Sequence, residues 1–572
     1  MLLKSTFLVA ALAVGTLASP VHHAVEGNGF TEHVLHERRD TDHAAFVKHS
    51  AVPLGRSLPV RIGLTQSNLD IGHDLLMEVS MPGSPKFGQH YSTEEIHELF
   101  APSIETVEAV SGWLKAAGIT RFSQSVNKQW MQFDAKVEVL EALVKAKYHE
   151  YEHVNTGAIH VACTEYHVPH HVQKHIDYIT PGINLISTKY TDIEGRALRK
   201  RDDHRITDTS IPISIDTDTL ALAPAYNLSS CGDLMTPYCL MVMYNVSLGI
   251  TNVTGNELGI YEGDDQTFAQ STLNLFYKKF ATYVPKGTKP VIAGIDGGGA
   301  LYPVTPTEAG YSETDLDLEA AIPLIYPQGV ILFQTDDKHY ETNGTYAGFL
   351  NNFFDAIDGS YCSFTDFNET GNDPIYDPPY PDPGPGGYHH ALQCGVYKPT
   401  NVISISYGEA EASLPVAYQR RQCAEVMKLS MQGVSVIVSS GDSGVDADRR
   451  GTCLGPDSLA FKPDYPANCP YITSVGSTVL PSGRNVLKDQ ETATVTFASG
   501  GGFSNIYKAP DYQLDAIATY FSRKAAPTYP YYSIEHNNGA NLTKAGLYNR
   551  KSDHRLMPLT QFQNFRAVKG HY

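Results

Sequence analysis

The stretch GVSVIVSSGDSGVD, Gly433 to Asp446, reads as a buried β-strand that ends in a polar, glycine-bounded loop. Val434, Val436, Ile437 and Val438 form a short, mostly β-branched apolar run, the pattern of a strand covered on both faces. Gly441 and Gly444 then punctuate the chain around Asp442 and Ser443. Working outward, a long helix is predicted from Leu414 to Met431, preceded by the strand NVISISYG, Asn401–Gly408. Further upstream, ELGIYE (257–262), a helical stretch from Thr267 to Tyr283, PVIAGIDGG (290–298) and GVILFQT (329–335) continue the series. Strands that alternate with helices imply right-handed βαβ units and an α/β fold, a parallel sheet with helices on both faces. In such sheets the chemistry gathers beyond the carboxyl ends of the strands.

The N-terminal part has a different character. Of the 23 histidines, sixteen lie at or before His175. Between them, residues 81–119 read as two helices. Ser92 and Glu95 form a capping box ahead of Ile96, Leu99 and Phe100, and Val107, Val110, Leu114 and Ala117 keep helical spacing. A small α+β unit is expected here. It is preceded by residues 1–18, whose Lys4, apolar run Phe7–Val14 and small Thr16 and Ala18 predict a cleaved secretory signal. No later run reaches the roughly 18 apolar residues of a membrane span, so the product is expected to be secreted, extracellular and soluble.

A net charge of −19 argues against a nucleic-acid partner and suits an acidic compartment, where carboxylates are partly neutralised. Eight cysteines on an oxidising route favour disulfides over metal ligands. Cys231 and Cys239 bracket one short loop and Cys453 and Cys469 another, with connectivity open. Cys362 and Cys394 enclose a Pro- and Gly-rich surface insertion; if they pair, closing that loop is worth roughly 3 to 4 kcal/mol in the chain-entropy model. Glycosylation sequons stand at Asn227, Asn245, Asn252, Asn343, Asn368 and Asn541, none before residue 227. The charged linker RALRKRDDHR, 196–205, contains Lys200-Arg201, the expected processing site; other dibasic pairs are Arg38-Arg39, Arg420-Arg421 and Arg449-Arg450.

Three chemistries compete. Gly441-Asp442-Ser443-Gly444 looks like the nucleophile context of chymotrypsin-like proteases, but that chemistry needs a histidine base held by a carboxylate. Only seven histidines follow His175, none in a matching context, and those proteases are β-barrels. HEYEH, His149 to His153, fits a zinc-peptidase pattern if helical, with Glu150 as base; in so His-rich a region it reads as surface histidines, and no metal ligands are assigned. In SETDLDLEAAIP, Glu313 and Asp317 stand four apart, one turn above each other on a helix. Their plain reading is a capped first turn, with Ser312 as cap and carboxylates suited to the macrodipole.

Several ordered motifs decide among these. ETDLD (313–317) with AAIP (320–323), then VISISYGEAEA, SSGDSGV, FKPDYPANCPYITSVGST and SGGGFSN resemble the sedolisin family of serine-carboxyl peptidases over most of residues 220–550. In particular they resemble its secreted fungal tripeptidyl-peptidases. SPKFGQHYSTEEIHELFAPS and Trp113-Leu114 resemble the family's activation prosegment. The resemblance implies a subtilisin-like sheet, C-terminally truncated here, preceded by an α+β prosegment domain. It divides the chain into signal (1–18), prosegment (19–201), incomplete peptidase domain (202–550) and aberrant tail (551–572).

The resemblance also implies roles. Glu313 is the base for the nucleophilic serine, Asp317 the acid that orients and polarises it, and Asp442 the lining of the oxyanion hole. Ser443 is then not the nucleophile. A carboxylate base still accepts a proton at about pH 3 to 5, where imidazole is already charged, and two carboxyls in contact share a proton. To donate to an oxyanion, Asp442 must be protonated, which its place after a buried strand favours. The backbone from Ser404 through Ser406 and Tyr407 to Gly408 is a candidate edge for an extended peptide substrate. The expected partners are peptide or protein substrates and the chain's own prosegment, and the expected state is a monomer.

The chain departs from the family after GLYNR, 546–550. The G-T-S of the nucleophile and the segment that supplies calcium ligands do not appear; residues 551–572 lack apolar spacing. Calcium is thus implied by the family while its ligands are absent, and the chain as written is expected to be inactive. The alternatives are a non-catalytic, secreted peptide-binding glycoprotein and an acid endopeptidase. Protonation of prosegment histidines, among them His149, His153, His167, His170 and His171, is expected to alter docking, with the sign open.

Overall fold

The computed structural model describes residues 32–185, 228–305, 313–335, 350–359 and 388–522, apart from gaps at 40–45, 126, 155–156, 158, 264–265, 302, 389, 392, 448–452, 455–457 and 495–496. In the N-terminal unit, strands β1 (Ser57–Leu64), β2 (Ser123–Gln124), β3 (Trp130–Lys136) and β4 (Ile176–Thr180) form an antiparallel sheet in the order β2-β3-β1-β4. Helices α1 (Leu69–Ser80), α2 (Thr93–Phe100) and α3 (Ile104–Ala116) accompany it. Ser92 accepts from the Glu95 amide while the Glu95 carboxylate accepts from that of Ser92, so the capping box forms as expected. Leu58, Val60, Ile62, Phe133, Val110 and Leu114 bury a core of this unit's own.

The second unit is built on six parallel strands. These are β5 (Leu258–Glu262), β6 (Val291–Ile295), β7 (Val330–Thr335), β8 (Val402–Ile405), β9 (Ser435–Ser439) and β10 (Thr473–Val475), in the order β6-β7-β5-β8-β9-β10. Alternation along the strands sends side chains to opposite faces. Ile260, Val330 and Leu332 meet α4 (Gln270–Phe280) and α5 (Glu313–Ile325) through Leu273, Tyr277, Leu318 and Ile322. Tyr261, Phe333, Ile403 and Val436 meet α6 (Asn351–Ile357) and α7 (Val416–Met431) on the other face. The expected α/β architecture with helices on both faces is therefore present.

Two cysteine pairs are defined. Cys231 bonds Cys239, and Cys423 bonds Cys469, so the loop from Cys453 to Cys469 is not closed by its own ends. Cys423 lies on buried α7, which carries it to Cys469; proximity in sequence does not measure proximity in space. Cys394 is disulfide-bonded, while Cys362 lies outside the described residues.

The two units meet along α7. The Arg421 guanidinium donates to Leu64 O, to both Gln129 O and its side-chain oxygen, and to the Asp177 carboxylate. Two turns further, Lys428 pairs with Glu425 at 2.5 Å and donates to Gln66 Oε1 at 3.2 Å. Trp130 and Tyr178 of the first unit join the core beneath α7.

Candidate active site

The site forms where β5, β8 and β9 end. β8 is flanked on both sides, Ser404 lying between Ile260 of β5 and Ile437 of β9. Its carboxyl end delivers Ser406 and Tyr407 to the rim. From the helical layer, α5 begins at Glu313, whose backbone amide donates to Gln266 Oε1 at 3.1 Å. One turn on, Asp317 reaches the end of β8, and Ser406 Oγ donates to Asp317 Oδ2 at 2.9 Å and approaches Oδ1 at 3.2 Å.

Behind this contact lies a third acid. Glu262, the last residue of β5, is fully buried, and Tyr407 Oη donates to its Oε2 at 2.7 Å. Burial drives its pKa well above the ordinary carboxylate range, the nearby Asp317 charge adds to that, and the Tyr407 hydrogen bond opposes it. Asp317 is pushed up to about 6, chiefly by burial, with the Ser406 bond working against the shift. Glu313 also bears on Glu262 electrostatically. Glu262, Glu313 and Asp317 thus form one acidic cluster, and such a cluster holds protons at pH values where isolated carboxyls have lost them.

Asp442 lies three residues beyond β9, the neighbour of β8, in a loop fixed by backbone bonds. Ser440 N donates to Val475 O, Gly500 N to Gly441 O at 2.6 Å, and Gly444 N to Ala498 O at 2.8 Å. SGGGFSN is thereby stitched to SGDSG, which their separation in sequence does not reveal. Asp442 is partly exposed rather than enclosed in an apolar pocket. Glu313, Asp317 and Asp442 stand on the same carboxyl edge of the sheet.

Other sequence expectations fare differently. Ser404 has its backbone committed to strands on both sides, so it offers no edge for a peptide. Ser406 and Tyr407 turn their side chains to the acids, and after Gly408 the chain pairs Glu409–Ala410 with Asp464–Tyr465. HEYEH lies in the strand Tyr148–His153, which removes the helical face a zinc reading requires. Among the described residues no group of three or more His, Cys, Asp or Glu is arranged to hold a metal.

Of the dibasic pairs, Arg38 is ion-paired to Glu165 within a strand and Arg421 is buried. Arg449-Arg450 and Lys200-Arg201 lie outside the described residues, as do the sequons at Asn227, Asn343, Asn368 and Asn541. Glu262 went unrecognised in the sequence. Its one signal is a carboxylate ending an otherwise apolar strand, at the edge where α/β sheets keep their chemistry.

Residues 44–185 match the family described as Pro-kumamolisin, activation domain. The chain is 48% identical to tripeptidyl-peptidase sed1 of Aspergillus fumigatus, over 96% of this chain and 82% of that protein. The chain belongs to the sedolisin family. Aorsin of Aspergillus oryzae is 45% identical, over 90% of this chain and 79% of its own. Pseudomonas sedolisin, solved with two molecules of pseudo-iodotyrostatin, overlaps 51% of this chain and 67% of its own at 18% identity, with a TM-score of 0.30.

By family this sedolisin is a serine-type peptidase made as a zymogen, and its prosegment domain is the N-terminal unit that grips α7. No helix among the described residues is long and apolar enough to cross a membrane.

Proposed function

We propose that this chain is the secreted precursor of an acid-acting tripeptidyl-peptidase, a monomer that releases short peptides from protein N-termini. Residues 19–201 are its prosegment, removed at Lys200-Arg201, and residues 202–550 carry the peptidase domain. The observation that supports this reading is the Asp317–Ser406 contact beside buried Glu262, one helical turn from Glu313. Glu313 takes the proton of the attacking hydroxyl, Asp317 orients and polarises Glu313, and Asp442 lines the hole that receives the developing oxyanion. Burial, which pushes Asp317 up to about 6, keeps a proton within the pair in acid.

We further propose that the chain as written does not turn peptides over. Residues 546–572 contain no G-T-S, so the family's nucleophile has no counterpart in them. Calcium enters this reading only together with the family's corresponding C-terminal segment, and no step depends on it here.

The test compares the 572-residue chain with one extended by the C-terminal segment of the Aspergillus fumigatus relative. At pH 4 the extended chain is expected to cleave a tripeptidyl reporter with a free amino end and to spare the N-blocked reporter. Glu313→Gln is expected to lower that rate by about 10²- to 10⁴-fold. Equal cleavage of both reporters would move the assignment to an endopeptidase. Turnover by the unextended chain would refute its inactivity, and peptide binding without turnover would favour a non-catalytic binder.

A further inference from the structure

Residues 244–253 hold apolar side chains out in water. Tyr244, Val246, Leu248, Ile250 and Val253 are all exposed, Ile250 at 92% and Leu248 at 45%. The segment is nevertheless pinned. Val246 N donates to Met241 O, Val253 N to Gln328 Oε1 at 2.9 Å, and Tyr244 Oη to Glu491. Gly249 runs so close to the end of α5 that a Cβ there would stand 3.1 Å from Tyr326 O. A fixed apolar ridge on a soluble protein marks either a binding surface or a surface that something covers.

The sequence supplies the cover. Asn245-Val246-Ser247 and Asn252-Val253-Thr254 are glycosylation sequons that bracket the ridge and include two of its side chains. Both asparagines are exposed. Asn245 caps the helix Pro237–Tyr244 in a left-handed conformation, φ 55°, which accounts for the asparagine but not for Ser247. Asn252 accepts from Gln328 Nε2 through Oδ1 at 3.3 Å, a bond that modification at Nδ2 leaves in place.

We propose that Asn245 and Asn252 carry N-linked glycans whose role is to shield the Val246–Leu248–Ile250 ridge. This rests on the secretion proposed above. In the attachment step, the anomeric carbon of an oligosaccharide leaves a lipid diphosphate and bonds to Nδ2. The C–O bond to the diphosphate breaks, the lipid diphosphate departs, and one amide proton passes to a base of the transferase. The hydrated sugars on either side then occupy the space over the apolar side chains and keep other proteins off them.

The test expresses the full chain in a secreting eukaryotic host and maps glycan occupancy by mass spectrometry, with Asn343, Asn368 and Asn541 as internal controls. Both Asn245 and Asn252 are expected to be occupied. The N245Q/N252Q variant is expected to bind about twofold or more of the apolar dye ANS and to self-associate. Adding Leu248→Ser and Ile250→Ser is expected to reverse both effects, which separates loss of shielding from misfolding. Glycans at the control sites with bare Asn245 or Asn252 overturn the assignment. Unchanged dye binding and association in the double variant overturn the shielding, and point to cover by another chain segment or a second copy. A chain without glycans at any sequon refutes the underlying secretion instead.

Discussion

The guanidinium carbon of Arg421 lies 4.2 Å from the ring centroid of Trp130, so the catalytic unit's central helix holds the prosegment by a stacked, buried cation. The same group binds Asp177 and three further oxygens. Planar stacking and a fixed fork of donors are what arginine offers and lysine does not. Arg421→Ala leaves Asp177 without its ion partner in a mostly buried setting and is expected to cost about 3 to 5 kcal/mol. Arg421→Lys is expected to recover only part of this. Chemical denaturation of the precursor at neutral pH, followed by fluorescence of Trp113 and Trp130, reads both; a wild-type midpoint for Arg421→Ala would show that the contact carries no stability.

In the catalytic unit burial raises carboxyls together. Asp315 is pushed up to about 7, Glu319 to about 8 with the Asp315 charge adding, Asp317 to about 6, and Glu425 to about 7 against the pull of Lys428. An acid whose folded pKa lies above its unfolded value contributes stability that is complete below the unfolded pKa, about 4. That contribution is lost as pH rises through the folded values, from about 6 to about 8. Thermal unfolding between pH 4 and 8 is therefore expected to show a decline above pH 5 that Glu319→Gln and Asp317→Asn each make shallower. A slope indifferent to both substitutions would remove these groups as its cause.

The prosegment carries the opposite sign at one place. His160 packs edge-on against Phe46 at 5.0 Å, and burial, reinforced by His153, lowers it to about 4. A histidine with a depressed folded pKa contributes stability present above its unfolded value, about 6.5, and lost as pH falls toward 4. Glu37 opposes this, since burial pushes it up to about 7 and so favours the folded prosegment in acid. Once the intrinsic pH dependence of amide exchange is divided out, the protection factors of residues 46–51 and 148–153 are accordingly expected to fall between pH 6.5 and 4 in the native precursor and to change less in His160→Gln. Identical pH profiles for the two proteins would exclude the imidazole as the trigger.

What the sequence allowed to be read follows from the range of the forces involved. The capping box at Ser92 and Glu95, and the strand and helix of GVSVIVSSG and Leu414–Met431, depend on neighbours within one turn or one strand, and all appear as expected. The resemblance brought Glu313 and Asp317 to notice, but no local pattern linked Asp317 to Ser406, 89 residues away, or Tyr407 to Glu262, 145 residues away. The first contact arises only when α5 crosses the end of β8, and the second only because β5 and β8 are neighbours in the sheet. Ser404, the first residue of the expected peptide edge, is taken up for a related reason, because strand order, invisible in a single sequence, places β8 between two partners.

The loop that carries Asp442 allows a sharper test. Gly441 has φ +88°, and a Cβ on it would stand 1.8 Å from Asp464 Oδ2. Both penalties fall on Gly441→Ala, since an L side chain is strained at that φ and the Asp464 carboxylate already fills the space. The Asp464 backbone is held in a short strand opposite Ala410, so relief of the collision has to come from its side chain. Gly441→Ala is expected to destabilise the chain by about 1 to 3 kcal/mol. Asp464→Ala in the same chain is expected to return the part due to collision and leave the part due to φ, so the double mutant should be less impaired than the sum of the two singles. Strict additivity in the denaturation midpoints would mean that the carboxylate and the Gly441 backbone do not touch, and with that the packing that positions Asp442 would have to be redrawn.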